Sequence, residues 1–285
     1  MEKIGIIGAG TVGTALAGCL SAKGYDVAGV NSRTMASARR LAARVESARV
    51  YPDAQVLADA VDWVFVTTPD NVIPIVVSSL MWRRGQAVLH CSGADSLDVL
   101  EPARKAGCAV GAIHPLQTFA SIDQAMANLP GSTFSLEAEE PLLGRLKNVV
   151  ADLEGHAVVL KAGDKVLYHA AAVMSCNYVV TLVKLATDLW YTFGVTQAEA
   201  TKALLPLLKG TLNNIENVGL PNCLTGPIAR GDTGTIGKHL SALQQRAPDL
   251  LSTYKELGLQ TIPISLAKGR IDASKAGEMN RLLAK

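Results

Sequence analysis

The sequence predicts an α/β protein, a doubly wound parallel sheet followed by an all-helical C-terminal domain, with domains at 1–160 and 161–285. Three observations lead there. Short β-branched runs alternate with Ala- and Leu-rich stretches through the first half. Those runs are continuously apolar, as strands covered on both faces must be, and the helices between them imply right-handed crossovers. From Gly163 the helical pattern takes over to the end. A chain of 285 residues suits two domains of ordinary size. No Gly/Ser- or Pro-rich linker separates them, so tight packing is expected.

The first run, Lys3–Ile7, enters Gly8-Ala9-Gly10-Thr11-Val12-Gly13 and then an Ala-rich helix. This is G-x-G-x-x-G in the strand-to-helix position of a Rossmann sheet. The first glycine makes the turn, the second admits a pyrophosphate to the backbone, and the third lets helix and strand pack closely. The helix N-terminus offers free N–H groups to phosphate. The second run, Asp26–Val30, ends at Asn31, 18 residues past Gly13, where NAD-binding chains carry an acid for the ribose 2′-hydroxyl. That acid is missing. Asn31-Ser32-Arg33-Thr34 instead offers a guanidinium and two hydroxyls, which suit the 2′-phosphate of NADP. The plainer alternative is that Ser32 and Thr34 only cap the helix that follows, with Arg33 solvated.

The run Asp62–Thr67 leads into Thr67-Thr68-Pro69 at the carboxyl edge, where open α/β sheets bind ligands, so these three are assigned to the cofactor. Ala87–Cys91 ends at the same edge in His90-Cys91-Ser92-Gly93. There Ser92 is a candidate cofactor contact, with an ordinary turn as the alternative. Ala109–Ile113 delivers His114-Pro115-Leu116-Gln117-Thr118-Phe119. His114 can donate a proton to a carbonyl or imine, and Gln117 is a candidate substrate contact. Further strands are expected at Ser132–Leu136 and Ala157–Leu160.

In the second half a single buried helix of about 30 residues is expected over Asp164–Phe193, roughly 45 Å long. It gathers Tyr168, His169, Ser175 and Asn177 in an apolar setting. Tyr168 and Ser175 nearly eclipse at 100° per residue, while His169 and Asn177 diverge by roughly 80°. His169 and Asn177 join His114 as catalytic candidates, and Ser175 joins the substrate candidates. The alternative is that they satisfy their own helix neighbours. Lys165 and Lys184 are taken as solvated. Further helices are expected near Gln197–Asn217, Thr233–Gln245, Pro248–Leu257 and Asp272–Leu283. Between them Thr225, Gly226, Pro227 and Arg230 form a loop able to hold a carboxylate, and Asp232 or Thr233 can cap the next helix.

Composition narrows the partners. Lys and Arg number 27 against 25 Asp and Glu, without like-charge runs, so a nucleic-acid or polybasic membrane surface has no support. Five scattered cysteines without a C-x-x-C pair argue against disulfides and zinc and for a reducing compartment. No signal segment is read ahead of Ile4, and the apolar stretch His169–Val183 is judged too short and too polar to span a bilayer. A cytoplasmic protein with a small, anionic substrate, no membrane and no metal is expected.

On GAGTVG, NSRT, HPLQTF, YHAAAVMSCN and LTGPIARGDTGT the chain resembles a family of Rossmann-like NADP oxidoreductases whose C-terminal helical domain is of unknown function. That family is distantly similar to pyrroline-5-carboxylate reductase and the 3-hydroxyacid dehydrogenases, with a C-terminal domain like that of 6-phosphogluconate dehydrogenase. The resemblance implies NADP-dependent hydride transfer to or from a small carbonyl, imine or hydroxy acid held between the domains. It also implies a homodimer joined through the helical domain. The His-Pro step looks like that of prephenate dehydrogenases, and the Gly226–Thr233 loop like the carboxylate region of pyrroline-5-carboxylate reductase. One departure stands out: where the 3-hydroxyacid dehydrogenases place a catalytic Lys four residues before an Asn, this chain has Val173 before Asn177. The missing Lys leaves open a protein that binds NADP as a sensor without turnover.

Overall fold

Each apolar run of the first half becomes a strand in the computed structural model, which describes residues 2–284. In chain order the first unit contains β1 (Lys3–Ile7), α1 (Thr11–Ala22), β2 (Asp26–Asn31), α2 (Met35–Ala42), β3 (Arg49–Val50), α3 (Ala54–Ala60), β4 (Trp63–Val66), α4 (Ile73–Ser79), β5 (Ala87–His90), α5 (Glu101–Lys105), β6 (Ala109–Leu116), α6 (Ile122–Asn128), β7 (Thr133–Ala138), α7 (Leu142–Asp152), β8 (His156–Val159) and α8 (Asp164–Ser175). The eight strands form one sheet in the order β3-β2-β1-β4-β5-β6-β7-β8. The order reverses direction beside β1, which creates the switch point where such sheets bind ligands.

All pairs from β3 to β6 are parallel, β7 runs antiparallel to β6, and β8 is parallel to β7. The wholly parallel expectation therefore fails at one pair. The link from β6 carries a helix of only 7 residues, about 10 Å long, whereas β6 with 8 residues spans about 26 Å. The chain enters the next strand from the end at which β6 left.

Period-two alternation divides the core. Phe65 faces one apolar cluster with Ile6, Leu89, Ile113 and Phe134, whereas Val64 and Val66 face the other with Val88 and Leu100. Phe65 and Phe134 are fully buried, and truncating either to Ala would cost about 3–5 kcal/mol.

The first compact unit extends to Cys176, so α8 belongs with the sheet, sixteen residues beyond the 160/161 division. The single long helix is also interrupted: Cys176 leaves helical geometry (φ −123°, ψ −66°), and α9 begins at the next residue. On α8 the covered residues are Lys165, Tyr168, His169, Ala172 and Val173, a helical stripe at i, i+3, i+4, i+7 and i+8. Val166, Leu167 and Met174 point outward, 63%, 76% and 66% exposed. The stripe thus begins with polar groups inside and apolar ones outside, the reverse of a core helix.

The second unit comprises α9 (Asn177–Tyr191), α10 (Gln197–Val218), α11 (Thr233–Arg246), α12 (Leu251–Ala267) and α13 (Ala273–Ala284). Its core is small: Ile236, Ile262, Ala276, Met279 and Leu283. Tyr178, Val180 and Leu182 on α9 and Leu205, Leu207, Leu212 and Ile215 on α10 are exposed, so the expected buried helix is absent from the single chain. Within Asp164–Tyr191 an 18-residue window reaches a mean hydropathy of 1.5, long and apolar enough to cross a membrane by length and composition only, but the break at Cys176 divides the stretch into helices of 12 and 15 residues.

Candidate active site

Three glycines open the site, and their environments differ. A Cβ on Gly13 would lie 2.2 Å from the Gly8 carbonyl oxygen and 2.3 Å from Thr67 Oγ1. Gly8 has φ +112°, and a Cβ there would meet the Thr67 backbone at 2.8 Å. Packing alone therefore explains both. Nothing lies within 4 Å of a Cβ on Gly10, so no protein neighbour demands that glycine. What a side chain there would obstruct is the approach to the N-terminus of α1, which Gly10 opens without a side-chain cap. The residues present fit a bound pyrophosphate.

Around this turn Thr67 Oγ1 donates to the Gly8 carbonyl at 2.6 Å, so its hydroxyl braces β4 against the glycine turn. Gly8 N donates to the Asn31 carbonyl at 2.8 Å, and Asn31 Nδ2 to the Tyr51 carbonyl at 2.8 Å. Ala9 is buried, and Thr11 and Val12 are half-buried. Thr68 Oγ1 is buried without a partner, beside exposed Pro69. At the end of β2, Thr34 caps α2 and also donates to Ser37 Oγ at 2.8 Å, so the capping alternative holds for this residue. Ser32 is half-buried and Arg33 exposed. Ser92 is engaged as well. Its hydroxyl donates to Asp70 Oδ2 at 2.9 Å and accepts from the backbone N–H groups of Ala94 and Asp95, which leaves it shaping the turn.

Farther along the same edge, register places a polar row on one face of the sheet. His90 on β5 pairs with Ala112 on β6, and Ala112 with Glu137 on β7; one step on, His114 pairs with Ser135. Ala112 on β6 lies between His90 and Glu137, and the polar stripe of α8 meets these strands at His114. Tyr168 OH and His114 Nδ1 are 2.9 Å apart, and the His114 ring meets those of Tyr168 and His169 edge-on at 5.7 and 5.9 Å. Gly93 is required here: a Cβ would fall 2.5 Å from His169 Nδ1 and 2.9 Å from His114 Nε2.

Among the described residues seven buried side-chain polar atoms have no partner, and five belong to this cluster: His90 Nε2, Ser135 Oγ, Glu137 Oε2, Lys165 Nζ and His169 Nδ1. Such groups are rare in native structures and mark sites of chemistry or ligation. Lys165, taken as solvated from the sequence, is 98% buried, since only 2% of its surface is exposed. Burial lowers its pKa against the opposing pull of Glu137, Cys91, Asp95 and Asp70. Burial, reinforced by His169 and Lys165, pushes His114 down to about 4, and burial with Lys165 and His114 pushes His90 down to about 3. Both rings are neutral at pH 7. Burial raises Glu137.

His114 and His169 thus come together. Ser175 is exposed, its hydroxyl donating to its own helix at Ala172, and Asn177 is an exposed residue opening α9 in the second unit. Gln117 is exposed past the end of β6 and reaches Ser132 Oγ at 3.4 Å. Lys165, Ser135 and Glu137 escaped the sequence reading; the i, i+3, i+4 spacing of Lys165, Tyr168 and His169 is a signal for the lysine, whereas Ser135 and Glu137 depend on the register of β7.

In the second unit Leu224, Thr225, Gly226, Ala229, Arg230, Lys268 and Arg270 line a cleft of about 400 Å³. Lys268 Nζ holds the loop through the carbonyls of Asn222 and Leu224, while Pro227 accepts from the N–H groups of Arg230 and Asp232. Asp232 caps α11, as one of the two expected capping residues. Arg230 and Arg270 remain exposed, and three cations around one cleft suit an anion.

Family models match a Rossmann-like domain at residues 1–115 and a domain of unknown function, DUF2520, at residues 132–261. Among solved structures the chain is similar to a "putative NADP oxidoreductase" from Bacteroides fragilis. The two share 27% identity over 92% of this chain and 98% of that one, with a TM-score of 0.72. A Thermotoga maritima protein is 25% identical over 94% of this chain and all of its own, with a TM-score of 0.74. The 1-pyrroline-5-carboxylate reductase of Streptococcus pyogenes, 17% identical over 98% of each chain, shares the fold at a TM-score of 0.63. No curated protein matches the sequence. The chain thus carries a match to the Rossmann-like domain followed by one to the DUF2520 domain.

Proposed function

We propose that this chain is an NADP-dependent oxidoreductase acting on a small carbonyl, imine or hydroxy acid. One observation carries the proposal. The open Gly10 turn and the His114–Tyr168 pair stand at the same carboxyl edge of one sheet, so a turn that suits a pyrophosphate and a proton-transfer group lie along one border. The similarity to the Bacteroides fragilis protein supports NADP as the cofactor. Gly8 to Gly13 would hold its pyrophosphate, and Ser32 and Arg33 its 2′-phosphate; bound NADPH supplies hydride. His114 gives the proton that the substrate's oxygen or nitrogen takes up, and His169 closes the other side of that group. Arg230, with Thr225 and Gly226, has the chemistry to hold an anion.

Isothermal titration tests the cofactor assignment. Wild-type protein is expected to bind NADPH at least about tenfold more tightly than NADH, and Arg33→Ala to remove that preference, as the loss of a charge-assisted pair requires. Equal affinity for both coenzymes in the wild type would overturn it. NADPH oxidation over a panel of cyclic imines, oxo acids and aldehydes then tests turnover.

A second copy of this chain is assigned to the exposed apolar faces of α9 and α10, and the cytoplasm as the location. Apolar patches of that extent mark interfaces. Sedimentation is expected to give twice the chain mass, and Leu207→Glu, at a position 69% exposed, to return it to one; a wild-type monomer would remove the assignment.

A further inference from the structure

His114 poses a chemical problem that its surroundings answer. A neutral imidazole that surrenders Nε2–H would become imidazolate, far too basic to form at pH 7, unless another proton reaches Nδ1 as the first one leaves. The group on Nδ1 is the Tyr168 hydroxyl, 2.9 Å away, on a helix stripe that also carries the buried, unpartnered Lys165 one turn earlier. Ser135 Oγ stands near the same hydroxyl without an aligned partner of its own.

Resting on the assignment of His114 as proton donor, we propose that Tyr168 relays a proton to His114 Nδ1 as His114 Nε2 protonates the substrate, with Lys165 as the positioning cation for the pair. In the step the His114 Nε2–H bond breaks as the substrate's O–H or N–H bond forms. The Tyr168 O–H bond breaks as the His114 Nδ1–H bond forms. The ring stays neutral throughout and only changes tautomer. The negative charge passes to the phenolate oxygen, beside the Ser135 hydroxyl, and Tyr168 recovers a proton from water after product leaves. Lys165 acts on the other partner. Burial, with the neighbouring His169 and Lys165, disfavours the imidazolium, so His114 waits as a neutral Nε2–H donor instead of an ion. This explains why a cation is retained where burial is costly and why the inner face of α8 begins with polar residues.

The test starts with wild-type protein carrying nitrogen-15 histidine, without cofactor or substrate. Nitrogen shifts report which ring atom bears the proton. His114 is expected as the Nε2–H tautomer with a hydrogen-bonded Nδ1; an Nδ1–H tautomer, which would donate to Tyr168, overturns the relay. Tyr168→Phe is expected to remove the hydrogen-bond shift at Nδ1. Lys165→Met is expected to raise the His114 titration midpoint by about one unit or more, and Lys165→Arg to restore it. The groups facing His114 and Lys165 from the neighbouring elements, His90, Asp70, Cys91, Asp95, Glu137 and His169, stay unchanged in all three variants. A midpoint identical in Lys165→Met and wild type removes the lysine from the proposal.

Turnover separates this inference from the one beneath it. With NADPH and whichever cyclic imine or oxo acid is reduced, Tyr168→Phe should lower turnover about 100-fold or more with NADPH affinity unchanged. If His114→Ala is as active as wild type, the assignment of His114 fails. If His114→Ala is inactive and Tyr168→Phe is fully active, only the relay does.

Discussion

The glycine corner at β1 and the histidine corner at β5 to β7 occupy one edge of one sheet, yet they are built by opposite means. Around Gly8, Gly10 and Gly13 the buried polar atoms are largely spent on protein partners, and what is left for a ligand is shape and backbone N–H. Around His114 the shape is closed by Gly93, His169 and Tyr168, and what is left over is side-chain polarity: a buried amine, a carboxylate oxygen, a hydroxyl and two imidazole nitrogens without partners. A group that must grip any dinucleotide identically can be served by backbone, which has no protonation state to manage. A group that must move a proton needs atoms whose hydrogen-bonding capacity is not already consumed, and these cost stability.

The widest gap between the corners should appear within the glycine turn itself. Gly13→Ala forces a methyl to within 2.2 Å of a backbone oxygen that cannot move without shifting β1. Loss of about 3 kcal/mol or more is expected, read as a drop in the denaturation midpoint before any ligand is added. Gly10→Ala meets nothing within 4 Å, so its midpoint should stay within about 0.5 kcal/mol of wild type, while NADPH affinity falls about 10- to 100-fold. If Gly10→Ala proves as destabilising as Gly13→Ala, or binds NADPH normally, the open space at Gly10 is not where the phosphates lie.

How legible each corner was from sequence follows from the same contrast. The glycine turn declares itself because its function needs particular residues at fixed offsets along one short segment. Strand limits were also close, as β7 at Thr133–Ala138 and β8 at His156–Val159 against expectations of Ser132–Leu136 and Ala157–Leu160 show. The histidine corner is assembled from β5, β6, β7 and α8, and its key burial depends on register. Nothing in Ser135-Leu136-Glu137 indicates which neighbour it faces until β7 is known to run antiparallel to β6. Lys165 was misjudged because a lone lysine near a helix start is solvated in most proteins, and the groups that act on it, Glu137, Cys91, Asp95 and Asp70, are distant in sequence. The helix break at Cys176 had no proline or glycine to announce it. The exposure of α9 and α10 was hidden for another reason: apolar sequence reports that a surface will be covered and not whether the cover is in the same chain.

The smallest effect concerns acid. His90 and His114, held near 3 and 4 when folded, would titrate near 6.5 in the unfolded chain. Between those values the unfolded state binds protons that the folded state refuses, so stability is complete above about pH 6.5 and declines as pH falls toward 4. Each histidine contributes a slope of about 1.4 kcal/mol per pH unit within that window. Glu137, raised by burial, opposes the trend because its folded form takes up a proton first, and it does so equally in any histidine variant. His90→Asn keeps an acceptor for the Ser92 N–H that His90 Nδ1 now receives at 3.1 Å. It is expected to be less stable than wild type at pH 7.5 but to lose stability more slowly between pH 6.5 and 5, by about one histidine's slope. The glycine corner carries no histidine, so Gly10→Ala should follow the wild-type slope throughout. Parallel denaturation curves for wild type and His90→Asn across that range would mean that the proton sensitivity lies elsewhere, and the division between a shape-built and a polarity-built corner would lose its energetic basis.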